Sequence, residues 1–374
     1  FIALIDDADV VSGWNSEGFD IPYTVRRITR IMSKSHTRKL CLWDLFPHER
    51  RVVRFGKESV TYDLSGRIHL DYLELYKKFT YKAQESYRLD YIAEVELGQK
   101  KLDHSEFDTF KDFYSKGWQK FIEYNIVDVE LVDRLEDKMK LIELALTMAY
   151  DAKVNYNDVF YQVRMWDTII YNYLKKRNIV IPQKTRTEKD EKYAGAYVKE
   201  PIPGKYDYVV SFDLNSLYPH LIMQFNVSPE TLVDEKHPTV TVDKILNKEI
   251  TFEMYKDYAV CANGAMYRKD IRGFLPELME KMYSDRVIFK KKAIEAKKEF
   301  QKTKDPIYSN EIARCHNIQM AKKISLNSAY GAIGNQYFRY FDVKQAEAIT
   351  LGGQLSIRWI ERDVNAYMNK VLNT

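Results

Sequence analysis

The chain has 374 residues, 45% hydrophobic and 30% charged, with a formal net charge of +4. That length supports two or three domains, and the balance predicts a soluble, globular protein rather than a disordered or fibrous one. The small positive charge permits nucleic-acid binding through local patches without demanding it. Cys41, Cys261 and Cys315 form no metal spacing and predict free thiols in a reducing compartment, and no apolar run reaches membrane-spanning length.

The chain begins at Phe1 inside an apolar pattern and reads as a piece of a longer protein. Val10 and Val11 end a strand, residues 13–18 form a loop, and residues 23–31 form an amphipathic helix. Asp20 stands where loop becomes helix, with Pro22 in the first turn. An N-capping acid and a metal ligand both fit that position. Residues 50–70 alternate about Gly56 and Lys57, as a β-hairpin running into another strand. Its arginine-rich flank, with Phe55 near the tip, suits solvent or nucleic acid equally. A helix follows over 71–79.

Residues 121–139 carry a helical period in Ile126, Val129, Leu131, Val132 and Leu135. Tyr124 and Asp128, four apart, share one face. The pair could hold a metal and orient a water, or simply be a half-buried phenol beside an exposed acid. Helices are expected over 141–150 and 154–175, a short strand over 179–182, and a charged linker over 185–192 as the main boundary. In YAGAYVKEPIPGKY (193–206) the small residues around Gly195 let a backbone or a phosphate come close.

The organising stretch is VVSFDLNSLYPHLIMQFN (209–226). Tyr208, Val209, Val210 and Phe212 predict a strand ending on Asp213, and Leu221, Ile222 and Phe225 a helix beyond the Asn215–Ser216 turn. A carboxylate there ligates a hard cation, while the turn's N–H groups face an anion. A buried strand ending on a helix-capping acid is the plainer alternative. Residues 240–252 are ambiguous and 262–273 turn-rich. A long helix over 274–298 carries Arg286 and Lys290 four apart. Pro306 breaks the pattern over 302–310, and a second helix runs over 312–329. Its stripe is Lys323, Asn327 and Tyr330. The two helices should lie antiparallel and offer cations from one side. Gly331 ends the second helix, residues 337–341 look extended, and 346–373 are helical.

These motifs resemble those of family B DNA polymerases. DLNSLYP (213–219) and KISLNSAYG (323–331) are similar to the first two polymerase signatures of that family. FDIPY (19–23) and YNIVD (124–128) are similar to the second and third signatures of its 3′–5′ proofreading exonuclease, and YAGAYVKEPIPGKY to the element linking the two activities. The order is the family's, and the resemblance covers nearly the whole chain. WDLF, LDYLELYKKF, VKEPIP, SPET and NQYFRYFD resemble the T-even-type tailed-phage replicative branch.

The resemblance implies an α/β and α+β multidomain fold. Its parts would be a truncated ribonuclease-H-like exonuclease (1–140), a helical return segment (141–184), an antiparallel-sheet palm (185–272 and 336–374) and helical-hairpin fingers (273–335), with sheets short of strands and raw edges. It implies DNA-templated nucleotide addition with proofreading, in viral DNA replication in the host-cell cytoplasm, on primer-template DNA and deoxynucleoside triphosphates. Two Mg²⁺ ions, or Mn²⁺, would serve. Asp213 would ligate both with the Leu214 carbonyl, and the Ser216 and Leu217 N–H groups would hold the triphosphate. Tyr218 would lie under the deoxyribose, where a 2′-hydroxyl would clash. Arg286, Lys290 and Lys323 would neutralise the phosphates, Asn327 would hydrogen-bond them, and Tyr330 and Gly331 would flank the nascent pair. Tyr193 and Gly195 would touch DNA. In the exonuclease, Asp20 and Asp128 would hold metals and Tyr124 would orient the attacking water.

Three departures from the family pattern bear on activity. His220 stands where the family usually has serine. No third polymerase signature, thumb or sliding-clamp-binding tail is present, and no Asp-x-Glu strand precedes Asp20. The isolated chain is therefore expected to show neither activity at a useful rate, because one acid in place of two holds Mg²⁺ weakly. The alternatives are a non-catalytic module binding nucleotide or primer-template, or half of a split polymerase completed by a second chain with the missing palm and thumb.

Overall fold

The computed structural model describes residues 1–54, 57–80, 82–184, 193–207 and 209–372. Phe55 and Gly56 at the hairpin tip, the 185–192 linker and Tyr208 lie outside the described residues. The architecture is mixed α/β and mostly helical. Contacts divide the chain into two units: Phe1–Tyr150 with Asn155–Phe160, and Asp151–Val154 with Tyr161–Thr374.

In the first unit, β1 (Val10–Gly13) pairs in parallel with β4 (Ile68–Asp71). Between them β2 (His48–Arg54) and β3 (Lys57–Asp63) form an antiparallel hairpin. Among the described residues both pairings are two-stranded. Helix α1 (Asp20–Ile31) turns Ile21, Val25 and Ile28 inward, onto a core with Ile5, Leu40, Cys41 and Leu64. That spacing is the apolar stripe of an amphipathic helix. Helices α2 (Tyr72–Phe79), α3 (Leu89–Leu97), α4 (Phe110–Lys116), α5 (Trp118–Met139) and α6 (Leu141–Ala152) follow. Leu131 and Leu135 seat α5 in the interior.

In the second unit, α7 (Gln162–Lys175) buries Trp166, and α8 (Leu217–Phe225) leads to an antiparallel sheet of order β5 (Leu232–Lys236), β7 (Ala265–Arg268), β6 (Tyr258–Val260). Short α9 (Val242–Leu246) lies between β5 and β6 in sequence. Helices α10 (Phe274–Thr303) and α11 (Pro306–Ile333) are joined by Lys304 and Asp305 and pack along each other. Helix α12 (Val343–Leu372) closes the described chain, and α8 packs against α10, α11 and α12.

Several sequence expectations are corrected. Residues 209–213 form no strand, and Val209, Val210 and Phe212 are exposed. A strand's hydrogen bonds belong to its neighbour, and no described strand pairs with this run. Residues 179–182 are irregular too, and the Pro182 carbonyl accepts a bond from Arg339. Residues 337–341 are turns, closed by Phe338 N–H to Asn335 O and Phe341 N–H to Phe338 O. The 154–175 helix is broken: a 3₁₀ turn ends at Phe160, and Tyr161 is extended before α7. Pro306 starts α11 rather than breaking it, because its missing N–H costs nothing in a first turn, and Asp305 caps Ile307 N–H. Gly331 lies inside α11, which ends at Ile333 with Gly334 as its cap. The turn-rich 262–273 segment contains β7.

Candidate functional site

The first unit holds a cleft of about 1840 Å³. Asp20, Tyr124 and Asp128, named from sequence, all line it, with Trp14, Ser16 and Lys101. Asp20 is the first residue of α1, behind a Phe19 N-cap that makes no side-chain bond, so the N-capping role is not the one it plays. Its carboxyl keeps an exposed edge, but burial raises its pKa and the Asp20 backbone N–H only partly opposes that.

The loop before Asp20 is fixed by a group the sequence reading passed over. The buried Asp71 carboxylate accepts from Asn15 N–H (2.9 Å), Glu17 N–H (3.0 Å) and Leu73 N–H (3.0 Å). It thus caps α2 and clamps the loop that carries Asp20. Burial pushes its pKa up to about 6 against those three bonds. The Ser16 hydroxyl and His69 Nε2 lie 2.8 Å apart beneath the same loop.

Tyr124 and Asp128 share one face of α5, as their spacing requires. Lys101 Nζ reaches both, at 2.6 Å from Asp128 Oδ2 and 3.2 Å from the Tyr124 hydroxyl. Burial opposes the Lys101 charge, but the hydrogen bond and attraction of Asp128 outweigh it and its pKa rises. Asp128 Oδ1 is buried without a partner. Among the described residues, no three His, Cys, Asp or Glu side chains converge as a metal set. The unpartnered oxygen, on a residue that lines the same cleft as Asp20, still fits a cation-seeking donor. Lys101 had no sequence signal beyond a Lys-Lys pair in a loop.

In the second unit the turn at 213–216 meets the α10–α11 pair. Ser216 adopts a left-handed backbone, φ 54° and ψ 45°, directly before the helical Leu217. Successive left- and right-handed residues aim consecutive N–H groups into one concavity, and a helix's first N–H groups lack internal acceptors. From α10, Arg286 Nη1 lies 3.1 Å from Ser216 Oγ and 3.5 Å from Asn215 Oδ1, and its Nε is buried without a partner. From α11, the Tyr330 ring lies 4.8 Å from that of Tyr218. The Tyr330 hydroxyl is 3.3 Å from that of Tyr193. Burial raises the Tyr218 pKa, with Tyr193 adding to it.

Lys290 and Asn327 are exposed and Lys323 is half-buried. The neighbouring Lys322 turns inward instead, to Asp151 at 2.7 Å and Asp285 at 3.4 Å. Asp213 and Leu214 are exposed, and the Asp213 carboxylate has no partner among the described residues. A Cβ on Gly331 would stand 2.7 Å from Gln162 Oε1, so glycine there allows a close approach of α7. Gly195 has open space around it, and its carbonyl accepts from Gln354 at 2.7 Å. His220, unexplained by the family pattern, has a place here. Its Nδ1 lies 2.9 Å from the Ser216 carbonyl oxygen and its ring packs on Tyr283 at 4.7 Å, tying the turn to α10.

The model of DNA polymerase family B matches residues 161–373, more than half the chain. The chain belongs to DNA polymerase family B. The family's exonuclease-domain model matches residues 1–92. The chain is 37% identical to the DNA-directed DNA polymerase of Escherichia phage RB69, over 98% of this chain and 44% of that protein. It is 32% identical to the corresponding enzyme of Enterobacteria phage T4, with the same coverage. DNA polymerase 1 of Pyrococcus abyssi is 26% identical, again over 98% and 44%. The chain thus spans less than half the length of these relatives. The exonuclease match covers Asp20, Lys57–Asp63 and Asp71 but stops before Lys101, Tyr124 and Asp128. The polymerase match covers the whole Ser216 turn and the α10–α11 pair. No described helix is long and apolar enough to cross a membrane.

Proposed function

We propose that this chain carries part of a replicative, DNA-templated DNA polymerase with a 3′–5′ proofreading exonuclease, of the T-even-type phage branch. In this reading residues 1–140 are a ribonuclease-H-like exonuclease, 141–184 a return segment, 185–272 and 336–374 the palm, and 273–335 the fingers. One observation carries the polymerase part: Arg286 of α10 and Tyr330 of α11 meet the Ser216–Tyr218 turn, 3.1 Å and 4.8 Å away.

A triphosphate would rest on the Ser216 and Leu217 N–H groups, with Arg286, Lys290 and Lys323 neutralising its charge and Asn327 donating to it. Tyr218, backed by Tyr330, would form a floor under the sugar that excludes a 2′-hydroxyl. Tyr193, bonded to Tyr330, and Gly195 would lie along the primer-template. Asp213 and the Leu214 carbonyl would hold Mg²⁺, and Asp20 and Asp128 the exonuclease metals. When bound, Mg²⁺ supplies charge neutralisation on the phosphate oxygens. In the exonuclease cleft, Tyr124 would orient water and Lys101 would hold Asp128 in place.

The test is calorimetric titration of the chain with Mg²⁺-dATP. Binding should weaken about tenfold or more in Arg286→Ala, a charge-assisted contact, and less in Asn327→Ala. No binding by the unmodified chain, or binding indifferent to Arg286→Ala, would overturn the nucleotide face. Primer extension and single-strand degradation by the chain alone should stay at background, since the donor set around Asp213 is thin. That thin set also favours a second reading, a module that binds nucleotide without turning it over. Extension restored by a second chain bearing further palm carboxylates would decide for a split enzyme.

A further inference from the structure

Between Asp20 and Asp44 the chain has no acidic residue and six lysines and arginines. Arg38 is held by Asp44 at 2.9 Å, and the nearby Arg50 contacts Glu17. Arg26, Arg27, Arg30 and Lys34 are exposed and have no ion-pair or hydrogen-bond partner among the described residues. The helix explains their grouping. Ile21, Val25 and Ile28 point into the core, so at about 100° per residue Arg26, Arg27 and Arg30 fall on the opposite face. Tyr23 shares that face. It is 54% exposed and stacks on Phe19, itself 63% exposed, with centroids 5.8 Å apart and planes 12° apart. Phe19 lines the cleft. The outward face of α1 therefore starts at the cleft with two exposed aromatic rings and carries unneutralised arginines from Arg26 to Arg30, about 6 Å along the helix axis.

We propose that this face is a single-stranded DNA track leading out of the cleft. The inference rests on the exonuclease reading and deepens it by assigning the strand's path. Phosphates would run along Arg26, Arg27 and Arg30 toward Lys34, and the exposed rings at the cleft end would stack unpaired bases. Exposed aromatic faces select single strands because bases in a duplex are already stacked. The arginines are solvated and unpaired, so they give up no internal ion pair when phosphate arrives, and their contribution is counterion release.

The experiment measures fluorescence anisotropy of a labelled oligothymidylate bound to the full chain across a salt series. The variants are Arg26→Glu/Arg27→Glu/Arg30→Glu, the neutral Arg26→Gln/Arg27→Gln/Arg30→Gln, and the charge-retaining Arg26→Lys/Arg27→Lys/Arg30→Lys. The Glu and Gln variants should bind at least about tenfold more weakly, with a log–log salt slope shallower by about 2, as expected for three lost phosphate contacts on a single strand. The Lys variant should keep most of the affinity. The changed side chains are exposed, so melting should not move, and the Gln variant serves if the Glu variant folds poorly. Unchanged affinity and slope in the Gln variant would overturn the track while leaving the exonuclease reading standing. Loss of duplex binding alone would also overturn it. No oligothymidylate binding by the unmodified chain would overturn both.

Discussion

The Lys101 ammonium lies 2.6 Å from Asp128 Oδ2, in the cleft that Asp20 also lines. A lysine thus takes one oxygen of an acid whose other oxygen is buried and unmet. The lysine orients the carboxylate through that contact, and it also competes with any cation for it.

Lys101→Met separates these effects. It strands a carboxylate that is only about a quarter exposed, so stability should fall by about 1–2 kcal/mol after discounting for solvent screening. Mn²⁺ or Tb³⁺ should bind the cleft more tightly once the competing charge is gone. Urea unfolding reads the first effect and lanthanide luminescence the second. Weaker metal binding in the variant would show that Lys101 is not a competitor.

Asp71 predicts a pH dependence with a definite sign. Its folded pKa, about 6, lies above the ordinary 3.8 because burial outweighs its three backbone bonds. The folded state therefore holds this proton longer than the unfolded state does. The contribution is fully present below pH 3.8 and is lost as pH rises through about 6. At about 1.36 kcal/mol per unit it is on the order of 3 kcal/mol. Asp71→Asn, neutral throughout, should lack this slope, though it loses the acceptor for Glu17 N–H. Paired denaturation curves at pH 4.5 and pH 7 check it. Identical slopes in both proteins would refute the assignment.

Tyr218 backs onto Tyr330 across 4.8 Å. Tyr218→Val should leave deoxynucleotide binding within a few-fold and raise the relative affinity for the ribonucleotide by about tenfold, since the clash is removed. Competition titration of dATP against ATP measures the ratio. An unchanged ratio would remove Tyr218 from the sugar floor.

Gly334 leaves room for the Tyr193 hydroxyl, 2.6 Å from where a Cβ would be. Gly334→Ala should cost about 1–3 kcal/mol through overpacking. Tyr193→Phe, which removes that oxygen and its bond to Tyr330, should relieve most of the added cost in the double variant. Thermal melts of the four proteins give the coupling, and strict additivity would show that the contact is not the source of the cost.

The sequence determined the longer helices that carry the motifs, and the places of the motifs on them. Local period and turn chemistry put Tyr124 and Asp128 on one face of α5, Lys323 and Asn327 on one side of α11, and a turn ahead of α8. It did not determine residues 209–213 as a strand, because strand pairing is supplied by a neighbour far along the chain and none of the described strands provides it. It was silent on Lys101 and Asp71, whose partners lie 27 and 56 residues away, and it could not distinguish the buried, ion-paired Lys322 from the half-buried Lys323. Those choices belong to the tertiary structure: burial sets the cost of an unpaired charge, and only the packed chain decides which charges are buried and what meets them.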